Sequence, residues 1–191
     1  MFVFAFAQLR SAFITLLTSR IHVYQRPLLS PTRRVYCDGV FDMLHVGHMA
    51  QFRKALEVAD GDYLLVGVMN DRDCAKYKRL PVMSEDERYA AVAASAFVDE
   101  VVKDAPEAIT EEMISKYRID FVSAGEEYED IAALKAAGKY DYYAVPRAKG
   151  MLKFTTRTPG ISTSDIIKRI RSRADLEPVA STASAGVKKA N

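Results

Sequence analysis

The chain has 191 residues, 49% hydrophobic and 27% charged, which suits a single globular domain with a full core. A formal net charge of +2 supplies no global basic field, so nucleic acid is not an expected partner. Two cysteines, Cys37 and Cys74, stand in no metal-like spacing and read as free thiols of a reducing compartment.

Charge is unevenly spread. The first 34 residues carry five of the 27 basic residues (Arg10, Arg20, Arg26, Arg33 and Arg34) and none of the 25 acidic ones, so the remainder is mildly acidic. The stretch from Met1 to Thr18 is apolar but broken by Gln8 and Arg10, short of the uninterrupted span of ~18 residues that crosses a membrane. Its charge lies inside and after the apolar run, the reverse of a secretory signal. An organelle transit peptide, a membrane-surface anchor and a functionless extension all fit residues 1–33, which stand apart from the fold.

From Arg34 onward short β-rich runs alternate with helical periods. Val35–Asp38 reads as a strand ending at Gly39. Val46 to Ala59 reads as a helix with Met49, Phe52, Ala55 and Leu56 on one face. Tyr63–Met69 has the continuous apolar character of a buried parallel strand. Ser84 with Glu87 forms a capping box that opens a helix to about Ala96. A strand at Val98–Val102, a helix from Thr110 to near Tyr117 and a strand at Ile119–Val122 follow. Next come a helix from Asp130 to Ala137, closed by Gly138, and a strand at Tyr142–Val145. Ser162 or Thr163 caps a last helix to about Arg171. Residues 174–191 read as a disordered tail, leaving 34–173 as the domain. The alternation predicts an α/β, doubly wound, Rossmann-like parallel sheet with helices on both faces. Ligands then belong beyond the carboxyl ends of the strands, in the loops at residues 38–48, 70–83, 104–109, 123–128 and 146–163.

The first of these loops holds Cys37-Asp38-Gly39-Val40-Phe41-Asp42-Met43-Leu44-His45-Val46-Gly47-His48. Gly39 allows a sharp turn, and the free N–H groups of the following helix favour an anion. His45 and His48, three apart, share a face at that helix start, and Gly47 between them leaves the backbone open to a ligand. Two imidazoles there would stabilise charge building on a phosphoryl group. Far downstream, Arg157-Thr158-Pro159-Gly160-Ile161-Ser162-Thr163 leads into the last helix.

The stretch DGVFDMLHVGH resembles the HxGH signature of the nucleotidyltransferase superfamily, in its cytidylyltransferase branch. RTPGIST is similar to that branch's R-T-E-G-[IV]-S-T segment. Between them, KYKRLPVMSEDERY is similar to K-G-x-x-V-M-x-x-x-E-R-Y. The resemblance covers residues 34–173 and implies transfer of CMP from CTP to a small phosphorylated alcohol, with release of pyrophosphate and Mg²⁺ arriving with the nucleotide. It implies catalytic roles for His45, His48, Lys78 and Arg157. It places Gly39, Val40, Phe41, Asp42, Gly47, Asp71, Arg88, Gly125, Gly160, Ile161, Ser162 and Thr163 around the nucleotide. Lys78, Glu107 and Tyr128 fall to the acceptor, and no resident metal site is expected. Lys76 reads as a solvated loop charge.

DMLHVGH, GDYLLVGV and LKAAGKY point to phosphoethanolamine as the acceptor, whereas GISTSDII is the wording of choline-phosphate enzymes. Glycerol 3-phosphate and a non-catalytic nucleotide-binding module stay open. The resemblance also implies a homodimer, a cytoplasmic or endoplasmic-reticulum-surface location, or an organellar (mitochondrial) one through the N-terminal arm, and leaves peripheral membrane contact open. Departures are Ala124 for a histidine, Glu126 and Glu127 for aspartates, Arg79 for a glycine and Pro159 for Glu or Gln. A further departure is an insertion, Arg147 to Thr156, read as a lid.

Overall fold

The computed structural model describes residues 32–77, 79–173 and 175. The targeting or anchoring readings of residues 1–31, the disordered-tail reading beyond Asp175 and the role of Lys78 lie outside the described residues. Five parallel strands form one sheet in the order β3-β2-β1-β4-β5. They are β1 (Arg34–Gly39), β2 (Tyr63–Val68), β3 (Glu100–Lys103), β4 (Phe121–Gly125) and β5 (Leu152–Thr155). Seven α-helices are described: α1 (Val46–Ala59), α2 (Asp71–Tyr77), α3 (Glu85–Ala93), α4 (Glu111–Tyr117), α5 (Ile131–Ala136), α6 (Ala144–Ala148) and α7 (Thr163–Arg171). The strand order reverses between β1 and β4, so a crevice opens where their carboxyl ends diverge, at Gly39 and Gly125.

Alternation along β1 divides the core. Val35 and Cys37 pack with Phe41, Phe52, Ala55 and Leu56 on the α1 face. Tyr36 faces the other way, into Leu65, Val102, Ile109, Met113 and Tyr143. The predicted capping box is present, with Ser84 accepting from the Glu87 amide and Glu87 returning to the Ser84 amide. None of the described helices is long and apolar enough to cross a membrane.

Two expectations are corrected. Tyr142–Val145 is not a strand; the chain instead enters α6 at Ala144, and the edge strand is Leu152–Thr155. Tyr-Tyr-Ala-Val has β propensity, but Pro146 brings no N–H to a ladder, and in the first turn of a helix that donor would have no partner anyway. Asp141 fixes the turn by accepting from the Tyr143 amide at 3.1 Å and pairing with Arg147 at 3.1 Å. The second correction follows from the first. Most of the Arg147–Thr156 segment is the end of α6 and a sheet strand paired to β4, not a lid. A helix, α2, also occupies part of the predicted 70–83 loop. Asn70 caps it, accepting from the Asp73 amide at 2.6 Å, and Asp71 and Asp73 suit its first turn.

Candidate active site

The loop from β1 to α1 is tightly wound. Phe41 (φ 54°) and Met43 (φ 51°) both adopt left-handed backbone, a cost of order 1 kcal/mol each for residues with a Cβ. Between them Asp42 turns inward, and its carboxylate accepts from the Val82 and Met83 amides at 3.0 Å. The first signature thereby holds the loop that follows α2. Phe41 is buried against Phe52, with its ring edge-on to His48 at 5.4 Å.

His45 is the N-cap of α1, and the two histidines cap the helix themselves. Nδ1 of His45 accepts from the Gly47 amide at 3.1 Å, and Nδ1 of His48 accepts from the His45 amide at 3.4 Å. The expectation that free helix-start amides receive the anion is therefore modified, because side chains of the same motif engage part of them. With each Nδ1 acting as acceptor, each neutral ring carries its proton on Nε2. The rings stack with centroids 3.9 Å apart. Burial, reinforced by the Arg157 charge, lowers the His45 pKa. Burial and the neighbouring His45 push His48 down to about 4, against a small opposing effect of Asp42. Both rings are thus neutral Nε2–H donors near neutrality. Nε2 of His45 is buried with no hydrogen-bond partner among the described residues.

The second signature lies directly on the first. A methyl group at Gly47 would stand 2.9 Å from the His45 ring and 3.1 Å from the Ile161 side chain, so glycine lets the two segments touch. Thr163 Oγ1 donates to the Asp42 carbonyl at 3.0 Å. Gly160 takes a φ of 78°, which glycine alone adopts at no steric cost. Ser162 caps α7, bonded to the amide and carboxylate of Asp165. Exposed Arg157 is close enough to His45 to act on its titration. Upstream, α1 fixes this segment with two more side chains. Gln51 exchanges hydrogen bonds with Thr155 Oγ1 (2.7 and 3.0 Å), and Lys54 donates to the Thr156 carbonyl at 2.7 Å.

A family model described as cytidylyltransferase-like matches residues 36–169. The chain belongs to the cytidylyltransferase-like family. It is 44% identical over 137 residues to choline-phosphate cytidylyltransferase A of Rattus norvegicus, covering 72% of this chain and 36% of that protein. It is 42% identical over the same length to the ethanolamine-phosphate cytidylyltransferases of Dictyostelium discoideum and Mus musculus, covering 72% of this chain and 36% and 32% of those proteins. The chain thus spans about a third of the length of these curated relatives. The two acceptor classes match almost equally.

Several residues expected at the nucleotide of this cytidylyltransferase-like domain also tie its strands and loops together. Arg88 is wholly buried, donating to the Val40 carbonyl (2.7 Å), the Met69 carbonyl (2.8 Å) and Asp71 (2.7 Å). It ties the ends of β1 and β2 together, a structural role that the sequence expectation did not include. Asp71 and Val40 are its partners, and the Gly39 carbonyl accepts from the Met69 amide. Gly125 ends β4 with its open side covered by the Glu127 carboxylate. Glu107 is 3.5 Å from Lys76, which also pairs with Asp73 at 2.8 Å. Lys76 is therefore an exposed helical residue joining two carboxylates, not a loop charge.

Neither Asp38 nor Tyr143 is among the site residues expected from sequence. Asp38, the residue before the end of β1, lies on the face opposite the histidines and accepts from the Tyr143 hydroxyl at 2.7 Å. Burial raises its carboxyl to about 6, although the Tyr143 hydrogen bond opposes the shift. Tyr128 stands edge-on to Tyr143 at 4.8 Å, placing the one expected acceptor residue of this region beside the pair. Tyr36, fully buried, contributes a hydroxyl with no partner among the described residues. A partly buried carboxylate among tyrosines has the chemistry of an ammonium site.

Proposed function

We propose that this chain transfers CMP from CTP to an amino-alcohol phosphate, phosphoethanolamine first, giving a CDP-alcohol and pyrophosphate. The observation that carries this reading is the pair of stacked, neutral histidines, with Nε2 of His45 unpartnered among the described residues and the Arg157–Thr163 segment packed against their loop. An oxygen of the acceptor phosphate attacks the α-phosphorus in line. The bond from that phosphorus to the α,β-bridging oxygen breaks, and pyrophosphate leaves with the electron pair. His45 and His48 donate from Nε2 to the α-phosphate as charge builds, without moving a proton between themselves. Arg157, and Lys78 by resemblance, meet the remaining phosphate charge. Mg²⁺ is part of the substrate, held by the nucleotide's phosphates. Among the described residues no group of three or more His, Cys, Asp or Glu side chains is arranged to hold a metal.

Asp38 supports the amino-alcohol part of the reading. Its Oδ1 accepts from Tyr143, and in this reading the same carboxylate receives a primary ammonium. The Tyr128–Tyr143 pair favours a second reading, phosphocholine, because aromatic rings also attract a quaternary ammonium. The test is pyrophosphate release by the full chain from CTP and Mg²⁺, with phosphoethanolamine, phosphocholine and glycerol 3-phosphate offered separately. Preference for phosphoethanolamine supports the proposal and preference for phosphocholine moves it to the second reading. Silence with all three, in a folded chain that binds CTP, rejects amino-alcohol transfer. Light scattering on the same sample tests the homodimer.

A further inference from the structure

Neutral histidines leave a charge problem. They donate hydrogen bonds but do not offset the several negative charges of a triphosphate and an incoming phosphate, so cationic side chains must do so. Among the described cations nearby, Arg88 is buried and committed to two carbonyls and Asp71. Arg157 stands by His45. Arg79 is held differently. Its Nη2 lies 3.9 Å from Asp42 Oδ2, with its side chain 51% exposed. Asp42 does not need it, because that carboxylate already accepts from the Val82 and Met83 amides. A long, half-exposed ion pair is worth little and readily exchanged. Asp42 directly follows Phe41, whose ring touches His48, and its carbonyl accepts from Thr163 of the second signature. Arg79 is therefore a loosely parked guanidinium at the junction of both signatures, where a carboxylate holds the place of an anion.

We propose that Arg79 is an additional phosphate-binding residue of this site, leaving Asp42 for a phosphate of the reacting pair when substrate arrives. The inference rests on the functional reading above. The resembling segment usually has glycine at this position. A planar guanidinium suits two phosphate oxygens better than an ammonium does, so lysine should restore only part of its effect.

The test uses the full chain, unaltered and as R79G and R79K, measuring affinity for CTP and for pyrophosphate by calorimetry and KM for phosphoethanolamine in turnover. R79G is expected to weaken CTP and pyrophosphate about tenfold, the factor of a ~1.4 kcal/mol contact. R79K should lie between, and added salt should narrow the gap. Weakening confined to phosphoethanolamine also supports phosphate binding and assigns the acceptor's phosphate as the source. If R79G binds all three like the unaltered chain, and only its Tm falls, Arg79 braces the Asp42 loop and the inference is overturned alone. If the unaltered chain does not bind CTP at all, the functional reading fails and takes the inference with it.

Discussion

The two faces of β1 are built by different means. On the α1 side, the chemical groups come from one short run of sequence, and the donors are uncharged rings whose orientation is set by amides two and three residues away. On the other side, Asp38 depends on Tyr143, 105 residues further along, and carries a charge that burial opposes. The first face is preset by local chain geometry and the second by packing of distant elements. Damage to the first should therefore appear in turnover, and damage to the second in selection and pH dependence.

The largest expected effect tests the preset face. His48→Ala should lower kcat by at least about 100-fold, the scale of one lost electrostatic donor, with far-UV circular dichroism unchanged. Retained turnover would mean that the stacked rings do not meet the reacting phosphate. Gly47→Ala keeps both histidines but pushes on His45 and Ile161 together. Its loss should approach that of His48→Ala if seating the two segments on each other is what matters.

Asp38→Asn tests the other face. KM for the amino-alcohol phosphate should rise roughly 10- to 100-fold, as expected when a charged hydrogen bond is lost, while CTP affinity changes little. The pH dependence carries a sign. Ammonium binding requires the ionised Asp38, whose free carboxyl is raised to about 6, so kcat/KM for the acceptor should fall as pH drops through about 6. His48, at about 4, contributes no limb near 6. Asp38→Asn should abolish that limb, and a limb that persists would assign it elsewhere. The smallest effect joins α1 to the second signature. Lys54→Met removes the tie to Thr156 and should cost a few-fold in kcat/KM, with most of the loss in CTP binding because Arg157 is the next residue.

The contrast also explains what was legible in advance. His45, His48 and Gly47 are recognisable because their spacing and their geometry are the same fact. Helix α1 follows its periodicity from Val46 to Ala59. β5 was missed because Leu-Lys-Phe-Thr is a short edge strand without a continuous apolar run, while the aromatic residues before α6 imitated one. α2 was missed because a seven-residue helix with an acidic first turn has little apolar period to display. The burial of Arg88 was not legible, because sequence does not distinguish a guanidinium bonded to carbonyls from one facing solvent. Asp38 was in plain view within the first signature, but only the fold brings Tyr143 to it. A β-strand that serves two faces places its odd and even residues in different sites, and that period-two rule was the signal available for Asp38.

Histidine is not among the residues that cap helices best; Ser, Asn and Asp are. Yet α1 begins on His45, with His48 closing the box. Under the proposed function, the start of this helix is a position where heat resistance and turnover pull in opposite directions. Asn in place of His45 would suit the helix better, by a few tenths to about 1 kcal/mol, and would take away one of the two donors on which the proposed transfer depends. A search for hardier variants that screens only for survival on heating would be drawn to this residue and would return folded, inert protein.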